Sequence, residues 1–119
     1  MYRIIIYRTE SGKEPVLDFI RALKKRKDKD ARINSDKIND YLEILRICGK
    51  SAGAPYVKHL IGDIWELRPI KNRILFAGCT GDSFVLLHCF VKKTTKTPAK
   101  EIERAQREFD DFKRRNGDG

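Results

Sequence analysis

Ser83–Val91 (SFVLLHCFV) constrains the fold of this chain more than any other segment. It is apolar at successive positions, not at alternate ones, so as a strand it offers an apolar side chain to both faces of a sheet. It is far shorter than the roughly 20 residues of a membrane helix. Turn signals bound it, Gly78–Gly81 before and the polar Thr94–Thr97 after. Such a strand needs neighbours on either side and a packed layer above and below. Its one charged-capable member, His88, reads as a histidine held within the core.

The other elements follow from their periods. Tyr2–Tyr7 is a β-branched and aromatic run that Arg8–Gly12 ends. A helix begins near Glu14-Pro15, since proline is tolerated in a first turn where its missing N–H has no partner to lose. Val16, Phe19, Ile20 and Leu23 line one face of it. A second helix spans Asp30–Cys48 through Ile38, Tyr41, Leu42, Leu45 and Cys48, with Gly49 as its stop signal. After a loop at 51–55 the period falls to two. Tyr56–Leu60, Ile64–Pro69 and Arg73–Ala77 are short strands; in the second, Trp65 and Leu67 share one face while Glu66 and Arg68 share the other. A last helix starts at Pro98 and carries Ile102, Ala105, Phe109 and Phe112 along one side, and residues 116–119 form a frayed tail. The expected fold is α+β in the order β-α-α-β-β-β-β-α: a small, twisted, mainly antiparallel sheet packed by a helical hairpin and a C-terminal helix. A chain of 119 residues makes one domain, placed at residues 1–115.

Charge narrows the partners. Lys and Arg number 26 against 17 Asp and Glu, a formal net charge of +9, which points to a polyanion without naming it. Residues 56–100 hold eight of the cations and three acids, so part of the excess lies among the strands. A second concentration, Lys24-Lys25-Arg26-Lys27, closes the first helix, where cations suit both solvent and the helix dipole. The cysteines Cys48, Cys79 and Cys89 are odd in number and widely spaced, and read as reduced thiols packed as small apolar groups. Neither they nor His59 and His88 show metal-ligand spacing, so no metal and no cofactor are expected. The opening residues lack the apolar length and the small-residue cleavage site of a secretory signal, and no segment is long enough to span a bilayer. Both features set the expectation of a cytoplasmic protein without a membrane partner.

Three segments resemble the RelE/ParE toxin superfamily: Trp65-Glu66-Leu67-Arg68; Arg73-Ile74-Leu75-Phe76, one strand later; and Leu86–Thr94 with Lys96-Thr97-Pro98, running into a helix at Glu101-Ile102-Glu103 and Ala105. The similarity is greatest to its HigB-like branch, the phage-derived Gp49-like proteins. The motifs span Trp65–Ala105, and the order of elements extends the likeness over nearly the whole chain. The resemblance implies the toxin of a type II toxin–antitoxin pair, a ribosome-dependent endoribonuclease that cuts messenger RNA at the decoding site. It also implies a HigA-like antitoxin with a helix-turn-helix, operator DNA met only through the toxin–antitoxin complex, and a complex for which a heterotetramer is one stoichiometry. Two other activities are open to the same fold: inhibition of DNA gyrase, as in ParE-like toxins, and a non-enzymatic role as a co-repressor.

RNA cleavage needs no metal when the ribose 2′-OH attacks the adjacent phosphate. The protein must take the 2′-OH proton, stabilise the phosphorane and protonate the 5′-oxygen. Arginine suits the second task, because its planar fork donates two bonds to phosphate oxygens. Arg73 is expected to stabilise the phosphate and Arg68 to act as a second clamp, both on an open face of neighbouring strands; either can equally be a surface arginine paired with an acid. Lys92 and Lys93 follow the central strand. Alternation sends them to opposite faces, so one of them reaches RNA, with Lys93 preferred. Lys58 and Lys96 add positive charge for the RNA, and Tyr56 offers a ring on which a base can stack. For the base the candidates are His59, which titrates near neutral pH, and Glu66, which can also be the ion-pair partner that orders Arg68.

Overall fold

The computed structural model describes residues 1–116. Five strands form one open sheet in the order β1-β5-β4-β3-β2. They are β1 Arg3–Ile6, β2 Val57–Ile61, β3 Ile64–Leu67, β4 Asn72–Cys79 and β5 Ser83–Val91. Only β1 with β5 is a parallel pair; the other three pairings are antiparallel. Helices α1 Pro15–Lys25 and α2 Lys29–Cys48 pack as a hairpin on one face, and α3 Ala99–Asn116 packs on the other. This is the α+β order read from the periods, β-α-α-β-β-β-β-α.

β5 has the cover on both sides that its composition demands. Phe84, Leu86 and Cys89 join Val16, Ile20, Leu23, Ile38 and Leu45 of the helical hairpin. Val85 and Leu87 join Ala105, Phe109 and Phe112 of α3. Each large apolar side chain buried in these layers stabilises the fold by about 1.5–3 kcal/mol relative to exposure. The helix ends are set locally. Asp28 caps α2 by accepting the Ala31 N–H at 3.1 Å. Gly49 ends α2 at φ 61°, and a Cβ there would sit 2.7 Å from the Tyr2 ring, so backbone and space both require glycine.

Some details depart from the periodic reading. The loop after α2 opens with a 3₁₀ turn, Gly49–Ala52. Cys48 is exposed at the end of α2 and Cys79 is half-buried, so of the three thiols only Cys89 packs as a buried apolar group. α3 takes in Asn116, whose Nδ2 donates to the Phe112 carbonyl at 2.9 Å. The rest of the expected frayed tail, 117–119, lies outside the described residues.

The most consequential departure is a bulge. Leu75 stands opposite His88 but Phe76 stands opposite Leu86, so Leu87 is an extra residue in β5. Alternation reverses there. Up to the bulge, Val85 and Leu87 face α3; beyond it, His88 and Phe90 face α3 and Cys89 faces the hairpin. Everything that follows on the strand is displaced to the face opposite the one simple alternation assigns.

Candidate active site

Glu66 pairs with Lys58 on β2 and with Leu75 on β4, which places its side chain on the α3 face of the sheet. At this end of the sheet, helical cover stops at the first turn of α3, and the connector between β5 and α3 forms the wall. The result is a hollow of about 220 Å³, lined by Lys58, Glu66, Arg68, Lys92, Thr95, Lys96 and Thr97, with Ile102 on the α3 side. Leu67 is fully buried on the opposite face, and Trp65 packs beside it, as the alternation of Ile64–Pro69 requires.

The floor of the hollow is a buried carboxylate among cations. Glu66 is 1% exposed. Its Oε1 lies 3.4 Å from Arg68 Nε and 3.6 Å from Arg73 Nε, and its Oε2 accepts the hydroxyl of Thr97. Neither Nε forms a directed hydrogen bond, so the two arginines are held to Glu66 by charge more than by hydrogen-bond geometry. Arg73 is fixed from a second direction: Nη1 donates to the carbonyls of Ile70 and Asn72, each at 2.8 Å. The Ile70 carbonyl is presented by a Pro69–Asn72 turn in which Ile70 takes φ 57°, a left-handed conformation that a β-branched residue rarely adopts.

The electrostatics follow from this crowding. Burial, and then the charges of Arg73 and Arg68, hold the Lys92 ammonium below its ordinary pKa. Burial likewise pulls the Arg73 guanidinium down, opposed by Glu66; it stays charged at any physiological pH.

The sequence-derived candidates separate on this geometry. Lys58, Glu66, Arg68, Lys92 and Lys96 converge on the hollow. Arg73 shares their cluster but lies beneath it, with its side chain 9% exposed, so the expected open face holds a buried second arginine. The expected preference for Lys93 is reversed. Lys92 lines the hollow, and Lys93 lines a separate depression with Phe90, Thr94, Pro98 and Glu101. The bulge at Leu87 is the reason, since it switches the parity of every later residue of β5. His59 borders the hollow but pairs with Trp65, and the two rings lie 4.9 Å apart on the hairpin face, with His59 Nε2 donating to the Gly62 carbonyl at 2.7 Å. It is not aimed at a substrate among the cations. The Tyr56 ring packs edge-on against Tyr41 at 5.1 Å, and Tyr56 serves the site through its carbonyl, which accepts the Arg68 N–H at 3.0 Å. His88 is buried with Nε2 3.0 Å from Glu101 Oε1, and burial pushes its pKa down. Thr97 was missed as a site residue. Its only signal was its place in Lys96-Thr97-Pro98 at the entry to α3. Among the described residues, no three His, Cys, Asp or Glu side chains gather where they could hold a metal, and no helix is long and apolar enough to cross a membrane.

With this cationic hollow defined, the likeness of the chain to known proteins can be set beside it. The model of the phage-derived protein Gp49-like family (DUF891) matches residues 18–110, which takes in every strand but β1 and all but the end of α3. The chain belongs to the Gp49-like family. Gp49-like proteins are RelE/ParE-like toxins of toxin–antitoxin systems. They are generally ribonucleases, and an antitoxin partner goes with their class. No curated protein matches the chain.

Proposed function

We propose that this Gp49-like protein is a toxin that cleaves messenger RNA on the ribosome and is neutralised by a HigA-like antitoxin, through one domain spanning residues 1–115. The observation that carries the reading is the convergence of Lys58, Arg68, Lys92 and Lys96 on one hollow above a fully buried carboxylate. A cluster of that kind repels itself unless anions join it, and a single carboxylate leaves most of its charge for a phosphodiester.

In this reading Arg68 donates to the non-bridging oxygens of the scissile phosphate and stabilises the charge that builds on the phosphorane. Lys58 and Lys96 hold the flanking backbone. Arg73, pinned beneath, supplies fixed positive charge in a poorly hydrated position, where it acts more strongly than in water. Lys92 takes the proton from the 2′-OH, a role favoured by the environment that lowers its pKa toward the working pH. The 2′-oxygen bonds to phosphorus, the bond to the 5′-oxygen breaks and that oxygen takes a proton from water, leaving a 2′,3′-cyclic phosphate on one fragment and a 5′-hydroxyl on the other.

The test is induced expression without an antitoxin, with message ends mapped and an Arg68→Ala control. Growth arrest with cuts inside translated frames, both relieved by the control, is the expected result. Arrest with intact messages and DNA damage would replace this reading with gyrase inhibition, and the absence of arrest would replace it with a co-repressor role.

A further inference from the structure

A proton carrier must reach the proton it moves, and Glu66 does not. It is 1% exposed, one oxygen is shared between two guanidinium groups and the other is occupied by a hydroxyl. What the carboxylate does reach is the frame of the hollow. Arg73 is the fixed point, tied to the Ile70 and Asn72 carbonyls. Glu66 sits against Arg73 and passes that position outward in two directions. One is to Arg68, which is partly exposed at the rim. The other is to Thr97, and so to the connector that carries Lys96 and follows Lys92.

We propose that Glu66 is a positioning residue, and that Glu66 with Thr97 sets Arg68 and Lys96 beside Lys92 as a preformed seat for one phosphate group. Preorganisation of this kind matters because a long cationic side chain that is already immobilised loses less freedom when it closes on an anion. Without the Thr97 contact the connector loses its tie near the start of α3, and Lys96, the residue before, must be ordered by the ligand itself, while Lys92 keeps its place through its N–H to the Lys71 carbonyl. The identity of the ligand as the scissile phosphate of RNA rests on the nuclease reading above; the existence of the seat does not.

Two measurements separate the two claims. The first is binding of inorganic phosphate to the purified full chain, by calorimetry and by the shift in melting temperature. The second is single-turnover cleavage of ribosome-bound message as a function of pH. Thr97→Val is expected to weaken phosphate binding about tenfold or more, as loss of a hydrogen bond to a charged group implies, and to slow cleavage by a similar factor. Thr97→Ser is expected to restore both. Glu66→Gln is expected to lower the rate while leaving the shape of the pH profile as in the wild type. If Thr97→Val binds phosphate and cleaves as well as the wild type, the seat is overturned. If Glu66→Gln removes the acidic limb of the profile while phosphate binding is unchanged, Glu66 is the base and the proposal fails. Should Glu66→Gln not fold, the Thr97 pair decides alone. A wild-type chain that binds phosphate, loses it in Thr97→Val and yet cuts no message would keep the seat and sink the nuclease reading.

Discussion

The end of α1 and the hollow over Glu66 carry comparable positive charge, but only the hollow has buried charges beneath it. Lys24, Lys25, Arg26 and Lys27 are all exposed, and the one firm ion pair among them, Arg26 with Asp28 at 2.9 Å, is itself at the surface. Water and salt screen such charges, and an exposed pair contributes only about 0–1 kcal/mol. In the hollow the cations lie against a buried carboxylate and a buried second arginine. Lys58 and Lys96 are exposed like the α1 run, but Glu66 and Arg73 are buried and Arg68 is only partly exposed. There the charges depend on one another's positions, because little solvent can replace a lost partner. Equal charge in the sequence therefore gives a tolerant surface in one place and an exacting arrangement in the other.

The sharpest break in that comparison is deletion of the carboxylate. Glu66→Ala strands two guanidinium groups and should cost about 3–5 kcal/mol, read from urea unfolding. Next is Arg68→Ala: if the proposed nuclease reading holds, it removes the donor to the phosphorane, and cleavage of ribosome-bound message should fall by about 10²–10³-fold. A third test uses Glu108, a buried carboxylate with poorer company: Arg104 Nε stands 3.4 Å from its Oε2, and its Oε1 has no partner. Burial pushes its pKa up to about 7 from an ordinary 4.5. The folded state thus binds the proton more tightly than the unfolded one. The contribution of Glu108 to stability should be full below about 4.5 and be lost as pH rises through about 7, and Glu108→Gln should flatten that part of a stability-against-pH curve. Ile70→Gly, at a left-handed position beside Arg73, should raise stability by roughly 1 kcal/mol in the same unfolding assay. The smallest effect belongs to the exposed run: Lys25→Ala should stay within about 0.5 kcal/mol of the wild type.

The fold was legible because its signals are local and repeated. The two-sided run of β5, the spacing along α1 and α3, and Gly49 each announce an element without reference to the rest of the chain. Glu66 and Arg68 could also be placed together, since alternation in one short strand puts them on one face. The choice between Lys92 and Lys93 could not be made that way, because it turns on one extra residue at Leu87 that leaves no mark in an apolar run. The burial of Arg73 and the contact of Thr97 were hidden for other reasons: Arg73 is held by the turn just before it, whose left-handed residue is an isoleucine that no turn signal announces, and Thr97 meets Glu66 from 31 positions away. The direction of the His59 ring was not legible either: its place on β2 turns it toward Trp65 at the edge of the hollow.

The parallel pairing of β1 with β5 bears on when the hollow comes into being. Arg3 meets Ser83 and Ile6 meets Leu86, 80 positions further along. Contacts between such distant segments are slow to form, so the first strand synthesised waits for the last. The helical hairpin can draw together early, but the sheet it rests on is incomplete until β5 is available. Lys92, Lys96 and Thr97 come later still. A chain proposed to attack translation therefore lacks its cutting site for most of its own synthesis, and the order of the strands, independently of any partner, defers its chemistry to the final stage of its making.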